Sequence, residues 1–315
     1  MDGYDSIASV TVLGWRVVAT RNTFKIGDLG CYYSIGSVLP KAGPTEFLKG
    51  KPLKTKKFKN YISQGLLLPL DAVGLSDVVE GQDITERLGV KRYIPVEERE
   101  LYEESADKAP WCPLVPKTDE ERVQNCLGRL EKHLTQQIVI TRKMDGTSVT
   151  YIWLLTKDGG KFMVCNRNNH LLVVNGNSRV YFEMAKRFDI EEKLKKLGRN
   201  LAFQGEITGP KINGNRHGLD DFELHIFNIY DIDAGCYLGW DAVVELCRVL
   251  VLNNVPEVYR GPVLEQHRSI DELQKIATCM MDNGRPYEGI VLKTLDYPRF
   301  SCKCISNEYM LKYGL

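Results

Sequence analysis

The stretch "IVITRKMDGTSVTYIW", residues 138–153, decides how the chain is read. Apolar residues lead up to Thr141 and resume at Val149, with Lys143, Asp145 and Gly146 between them. Two β-strands around a turn follow from that pattern. Asp-Gly is a favoured hairpin dipeptide, so one reading makes Lys143 a solvated charge beside a tight turn. The other reading makes Lys143 a nucleophile. Both stay open on this stretch alone, and Arg142 adds a second cation next to the first.

Working outward, 315 residues leave room for about two domains, and 43% hydrophobic with 26% charged residues describes an ordinary globular chain. A formal charge of +1 carries no information as a total, so a nucleic-acid partner must be met by local basic patches. The nine cysteines contain no Cys-x-x-Cys and are odd in number, which reads as reduced thiols in an intracellular protein. The N-terminus lacks a basic flank and a long apolar core, so a signal peptide is not expected, and no run reaches the length of a membrane span.

The chain divides into three. Residues 1–92 are short strands separated by Gly, Pro and Asn, as in "SVTVLGWRVVAT" and "GCYYSIGSVLP", which points to a small barrel or sandwich. Residues 93–116 change from charged to proline-rich and read as a linker with a possible helical turn. Residues 117–315 mix strands with helical patterns, predicting an α+β domain. "NSRVYFEMAKRFDIEEKLKKLG" reads as one helix ending at Gly198, and "WDAVVELCRVLVLN" as another. "SIDELQKIATCMMDN" opens with Ser269 and Glu272, a capping box.

Three later stretches bear on Lys143. "AFQGEITGP" ends an apolar run at Glu206, "HIFNIYDID" carries Phe227, and "PYEGIVLKT" places Glu288 before a strand ending at Lys293. "RFSCKCISNEYMLK" then supplies Lys303. Each alone is a strand with a charged end. As an ordered set, Lys143-x-Asp145-Gly146, Glu206, Phe227, Glu288-Gly-Ile-Val-Leu-Lys293 and Lys303 resemble the motifs of covalent nucleotidyltransferases: RNA ligases, DNA ligases and capping enzymes. DNA ligases and capping enzymes carry a further OB domain after the last motif lysine, and here about a dozen residues follow Lys303. "VLGWRVVATRNTFKIGDLGCYYSIGSVLP" and "KTKKFKNYISQGLLLPL" resemble the N-terminal OB domain of Deinococcus- and Naegleria-type RNA ligases. "KTDEERVQN" resembles the opening of that family's catalytic domain.

The resemblance implies an N-terminal OB-fold β-barrel followed by a nucleotidyltransferase domain of ATP-grasp-like antiparallel sheets with flanking helices. It implies an ATP-dependent ligase of RNA with 3′-OH and 5′-phosphate ends, using Mg2+ or Mn2+ and acting as a monomer. Lys143 would take AMP, Phe227 would stack on adenine, and Glu206 would contact the ribose. Lys293, Lys303 and Arg122 would hold phosphates, with Arg167 near the ribose and the RNA end. Asp145, Glu206 and Glu288 would hold metal-bound water, since magnesium usually keeps several of its waters. A lysine attacks phosphorus only as the neutral amine, and nearby positive charge favours that form. Lys293, Lys303 and the metal are therefore expected to depress the pKa of Lys143.

Two positions depart from the pattern. Arg142 stands where the family usually has a glutamate near the adenine, a charge reversal that departs from the family's base contacts and points Arg142 instead to the ATP phosphates or the RNA, where it would help depress the pKa of Lys143. Ser301 stands where the final motif often has lysine, and Arg299 is the candidate to replace it. In the N-terminal part, Lys54, Lys56, Lys57 and Lys59 surround Phe58, with Lys49 and Lys51 nearby. Such a run neutralises phosphates and offers a ring to a base, or it simply protects a strand edge. Two other classes remain open at this point: a non-catalytic RNA-binding protein derived from a ligase, and a capping or DNA-joining enzyme.

Overall fold

The computed structural model describes residues 6–94, 107–176 and 178–314. Its chain forms two compact units, one of residues 1–98, 123–125 and 307–315, the other of residues 99–122 and 126–306.

The first unit consists of short antiparallel pairs. β1 (Ile7–Val12) pairs with β2 (Trp15–Thr20), β3 (Gly30–Tyr33) with β7 (Leu66–Pro69), β4 (Ser37–Val38) with β8 (Lys91–Arg92), and β5 (Lys56–Phe58) with β6 (Tyr61–Ser63). In β2, Trp15, Val17 and Ala19 are buried while Arg16 and Thr20 are exposed, the period of a half-buried strand. Cys31, Tyr33, Leu39 and Leu53 form the centre of this unit's core. Lys54, Lys56, Lys57 and Lys59 are exposed around the half-buried Phe58.

The second unit holds two sheets. One has the order β18-β10-β19-β20, from β10 (Gln137–Lys143), β18 (Glu257–Pro262), β19 (Gly289–Thr294) and β20 (Ser301–Ile305). The other runs β16-β15-β14-β11-β12-β13-β9. Its strands are β9 (Lys108–Pro110), β11 (Thr147–Leu154), β12 (Lys161–Cys165), β13 (Asn169–Leu171), β14 (Leu201–Thr208), β15 (Glu223–Asp231) and β16 (Cys236–Tyr237). β17 (Asn253–Asn254) adds a parallel pair to β15.

The opening stretch is not a hairpin. β10 pairs with β18 and β19, and β11 pairs with β12 and β14, so Met144–Gly146 carries the chain from one sheet to the other. Residues Val149, Tyr151, Trp153, Phe203 and Ile207 bury one face of the larger sheet against Tyr181, Met184, Leu194 and Trp240. On its other face Ile152, Ala202 and Cys165 make a smaller apolar cluster, and the row continues into the polar Gln204 and Glu206.

Two sequence expectations are modified. The long helix is two, Arg179–Arg187 and Ile190–Leu197, because Asp189 takes a left-handed conformation (φ 52°) that no helix interior accommodates. The segment expected as a linker contributes β9, an edge strand where Pro110 costs no central ladder bond. The rest of its charged stretch, residues 95–106, lies outside the described residues. The Ser269 cap is present: its Oγ accepts from the Glu272 amide at 3.5 Å and opens the helix Ile270–Ala277. All nine cysteines are free thiols, and among the described residues no helix is long and apolar enough to cross a membrane.

Candidate active site

Strand register assembles the cations. Lys143 pairs with Gly289, Val139 with Lys293, Val291 with Lys303, and Lys293 with Ser301. Directly paired residues share a face and alternate residues return to it, so Lys143, Lys293, Ser301 and Lys303 lie on one side of the smaller sheet. Arg142, the neighbour of Lys143, points to the other. Its Nη1 donates to the Ile276 carbonyl at 3.2 Å and its guanidinium lies 5.1 Å from the centre of the Tyr287 ring. The structure thus does not bring the Arg142 side chain into the Lys143 cluster.

Gly146 leaves the larger sheet little choice of neighbour: a Cβ there would lie 2.2 Å from the Ile207 carbonyl oxygen. That close approach sets the Lys143–Gly146 turn against the end of β14, where Glu206 stands. Lys143 Nζ donates to Glu288 Oε2 at 2.7 Å. Burial alone would lower the Lys143 pKa, but the charges of Glu288, Glu206 and Asp145 outweigh it and hold the ammonium above its ordinary range. The surrounding carboxylates thus oppose the depression expected from Lys293, Lys303 and a metal.

Glu206 responds oppositely. Burial, with repulsion from Glu288 and Asp145 only partly offset by Lys143, pushes its carboxyl up to about 8. It is therefore largely protonated at neutral pH. Asp145 is buried, and both its oxygens are bonded, Oδ1 by Asn213 Nδ2 at 2.8 Å and Oδ2 by Arg216 Nη1 at 3.0 Å. Lys143 and Arg216 are the cations bonded to Glu288 and Asp145 of this group.

Glu206 has a stability consequence. Its folded pKa lies above the unfolded value, so the native state binds the extra proton and stability falls as pH rises from about 4.5 towards 8. Glu206→Gln should remove that fall, leaving the variant more stable than the wild type by more than ~1 kcal/mol at pH 8.5 and close to it at pH 4.5. Denaturant unfolding at the two pH values measures the difference.

Beyond Lys143 lies a cationic group. Burial, then repulsion from Lys143, Arg122 and Arg167, pulls Lys303 down to about 8, against the pull of Asp119. Arg122 forms an isolated parallel bridge with Lys303, whose amide donates to the Glu121 carbonyl at 2.8 Å. Arg167 pairs with Asp119 and also acts on Glu206.

Lys293 is farther along. Burial, with Arg299 nearby, brings its pKa down to about 7. Its Nζ donates to the Phe227 carbonyl at 2.7 Å and to Asn228 Oδ1 at 3.0 Å. Phe227 sits at a bulge: Gln204 pairs with Asn228 and Gly205 with Ile226, leaving Phe227 with no opposite number on β14. Arg299 lies 3.9 Å from the Tyr237 ring centre, donates to Asn228 Oδ1 at 3.2 Å, and faces Glu120, which also accepts from Ser301 Oγ. A cleft opens beside Lys293, lined among others by Asn228, Trp240, Tyr297 and Arg299.

Sequence reasoning did not single out Asn213, Arg216, His217, Glu120 or Asn228. "GPKINGNRHG" shows as a turn-rich loop after Glu206, but nothing in it indicates that it faces Asp145.

Comparison with known proteins places the chain among relatives of known family and fold. An RNA ligase family model matches residues 136–313 and an OB-fold domain model matches residues 1–70. Curated protein sequences yield no match. Among solved structures, a variant of Naegleria gruberi RNA ligase with ATP and Mn superposes with a TM-score of 0.86 at 31% identity, covering 98% of this chain and 94% of that one. The same ligase with pyrophosphate gives 0.85 at 31%, and a further variant with AMP and Mn gives 0.85 at 31%, with the same coverage. A lysine-centred site between two antiparallel sheets, an OB-fold unit before it and likeness along nearly the whole length make this chain a member of the RNA ligase family.

Proposed function

We propose that the protein seals RNA breaks bearing 3′-OH and 5′-phosphate ends, nicks in duplex RNA in particular, using ATP and passing through lysyl-AMP and RNA-adenylate. The observation that carries this reading is the position of Lys143 Nζ, bonded to Glu288 on one side and close enough to Lys303 to lower its pKa on the other. A nucleophile, acids that can take its proton and cations that can take phosphate charge occupy one neighbourhood.

In the first step the Lys143 amine forms an N–P bond to the α-phosphate of ATP, the bridging P–O bond breaks and pyrophosphate leaves. The ammonium must first lose a proton, and Glu288, at 2.7 Å, is the acceptor within reach. Lys303, Arg122 and Arg167 stabilise the negative charge of the phosphates. The RNA 5′-phosphate then displaces Lys143 from AMP, and the 3′-hydroxyl displaces AMP, leaving positioning as the main demand.

Among the described residues no group of three or more His, Cys, Asp or Glu is arranged to hold a metal ion directly. The hard oxygens of Asp145, Glu206 and Glu288 nonetheless fit Mg2+ or Mn2+ held through its waters, and a cation there would relieve the repulsion that Glu288 and Asp145 exert on Glu206. Such an ion supplies positive charge that favours the neutral amine and offsets the phosphates. In the N-terminal unit, exposed Lys54, Lys56, Lys57 and Lys59 with Phe58 support contact with the RNA backbone and a base.

The test is incubation with ATP and Mn2+ or Mg2+, intact-mass measurement for added AMP, and a joining assay on nicked RNA duplex. An AMP adduct and sealed product are expected, with weaker RNA affinity and a shallower salt dependence once the four lysines are replaced by alanine. Absence of an adduct with any nucleotide would leave only the non-catalytic RNA-binding alternative.

A further inference from the structure

Residues 144–146 pass between two sheets, outside the ladders of β10 and β11, so their polar groups need other partners. One segment provides them. Asn213 Nδ2 donates to Asp145 Oδ1 at 2.8 Å and to the Gly146 carbonyl at 2.9 Å, and Arg216 Nη1 donates to Asp145 Oδ2 at 3.0 Å. The Asp145 amide donates to His217 Nε2 at 3.1 Å, which fixes that nitrogen as an acceptor. Both carboxylate oxygens, one amide and one carbonyl of the turn are thereby bonded to residues 213–217.

The segment itself is braced. Lys211, Asn213 and Asn215 all have left-handed backbones, at φ 65°, 46° and 48°, a conformation that persists only where surroundings impose it. Asn283 Nδ2 donates to the His217 carbonyl at 2.8 Å and Arg285 Nη1 to the Asn215 carbonyl at 2.7 Å. Asn283 and Arg285 lie just before Glu288, so the brace connects the acid that bonds Lys143 with the turn that carries Lys143.

We infer that Asn213 and Arg216 are positioning residues for AMP transfer, holding the Asp145 carboxylate and the turn so that Lys143 is aimed at the α-phosphate. This rests on the ligase reading above. A carboxylate oxygen has two acceptor sites, so the clamp leaves Asp145 able to bond a water or phosphate-bound proton as well. The clamp sets orientation, and a displacement of about 1 Å at a reacting group costs on the order of 100-fold in rate.

The test uses the full chain with Arg216→Met, Arg216→Lys and Asn213→Ala. Single-turnover AMP attachment is followed over a range of ATP concentrations. Amide hydrogen exchange is followed in the peptide spanning Lys143–Thr147 and in the strands, and Tm is recorded. Arg216→Met should slow AMP attachment by about 100-fold, with the ATP concentration for half-maximal rate changed by less than about threefold. Arg216→Lys should recover most of the loss. Exchange at the turn should accelerate at least about tenfold in Arg216→Met and Asn213→Ala, with strand exchange and Tm close to wild type. Wild-type attachment in both variants, or a loss that follows Tm with no faster exchange at the turn, overturns the inference. If the wild type accepts no AMP, the ligase reading fails by itself, while the exchange measurement still reports whether the clamp holds the turn.

Discussion

Lys143→Ala is expected to abolish AMP attachment, by on the order of 10³-fold or more, while RNA already carrying a 5′-adenylate is still joined. The split follows from which bonds need the amine. Lys143 forms and then gives up the N–P bond in the first two steps, and the third is attack of a 3′-hydroxyl on adenylated RNA. Neither of the other lysines on the same face is placed to substitute: Lys293 Nζ is held by the Phe227 carbonyl and Asn228 Oδ1, and Lys303 lies among the charges of Lys143, Arg122 and Arg167. Quench-flow labelling with ATP and a joining assay on pre-adenylated RNA separate the two. Loss of both activities would mean that Lys143 shapes the site rather than reacting. In the wild type, the carboxylates keep Lys143 charged at neutral pH, so attachment should accelerate by up to about tenfold per pH unit on the alkaline side of neutrality. The same charge stabilises the fold. A raised lysine pKa contributes stability fully below about 10.4, lost as pH climbs through the folded value. Lys143→Ala should therefore also cost ~1–3 kcal/mol at pH 7, where Glu288 loses its partner, as read by denaturant unfolding.

Gly289→Ala should be the most damaging single methyl in the catalytic unit. A Cβ there would lie 2.1 Å from the Cys304 carbonyl oxygen, and φ is +155°, a region L side chains rarely adopt. The obstacle is backbone in the middle of a sheet, so no side chain can swing away. Gly289 pairs with Lys143 on one flank and Ile305 on the other, hence relief requires parting β19 from β10 or β20. A cost of roughly 3 kcal/mol or more is expected, about 6–12 °C in Tm for a unit of this size. AMP attachment should fall with it, because Lys143 and Lys303 are set by those same ladders. Gly128→Ala is the control: nothing lies within 4 Å of a Cβ there, so Tm should hold to within about 2 °C. Calorimetry of both variants decides the matter, and a Gly289→Ala protein melting with the control would refute the account.

The order of acids and lysines after Lys143 was legible because motif residues at strand ends remain visible in a one-dimensional string. The antiparallel sheets, the OB-fold unit and the Ser269 cap were legible for related reasons: alternation, turn residues and capping chemistry are local. What local pattern cannot supply is which strands pair. "TRKMDGTS" has the composition of a hairpin turn, and only the long-range partners of β10 and β11 make it a passage between sheets. The Asp145 clamp was hidden for the same reason, its donors lying 68 and 71 residues away. Arg142 illustrates a different limit. Adjacency to Lys143 in sequence suggested a shared task, whereas strand alternation sends the two side chains to opposite faces. The helix break at Asp189 was missed because the apolar period continues through it and Asp is an unremarkable surface residue.

The bulge in β15 has a consequence for how a sheet can serve a buried cation. His225 and Asn228 stand opposite Glu206 and Gln204, so the ladder would close with regular alternation if Phe227 were simply left out. Phe227 is, in effect, a supernumerary residue, and its carbonyl is one of the two oxygens that receive the Lys293 ammonium. A deletion at this position would thus preserve every neighbouring pair yet remove an aromatic ring and a cation's acceptor together, something no side-chain substitution there can do. The sheet hosts its buried lysine through an irregularity of count, one peptide unit more than the pairing needs.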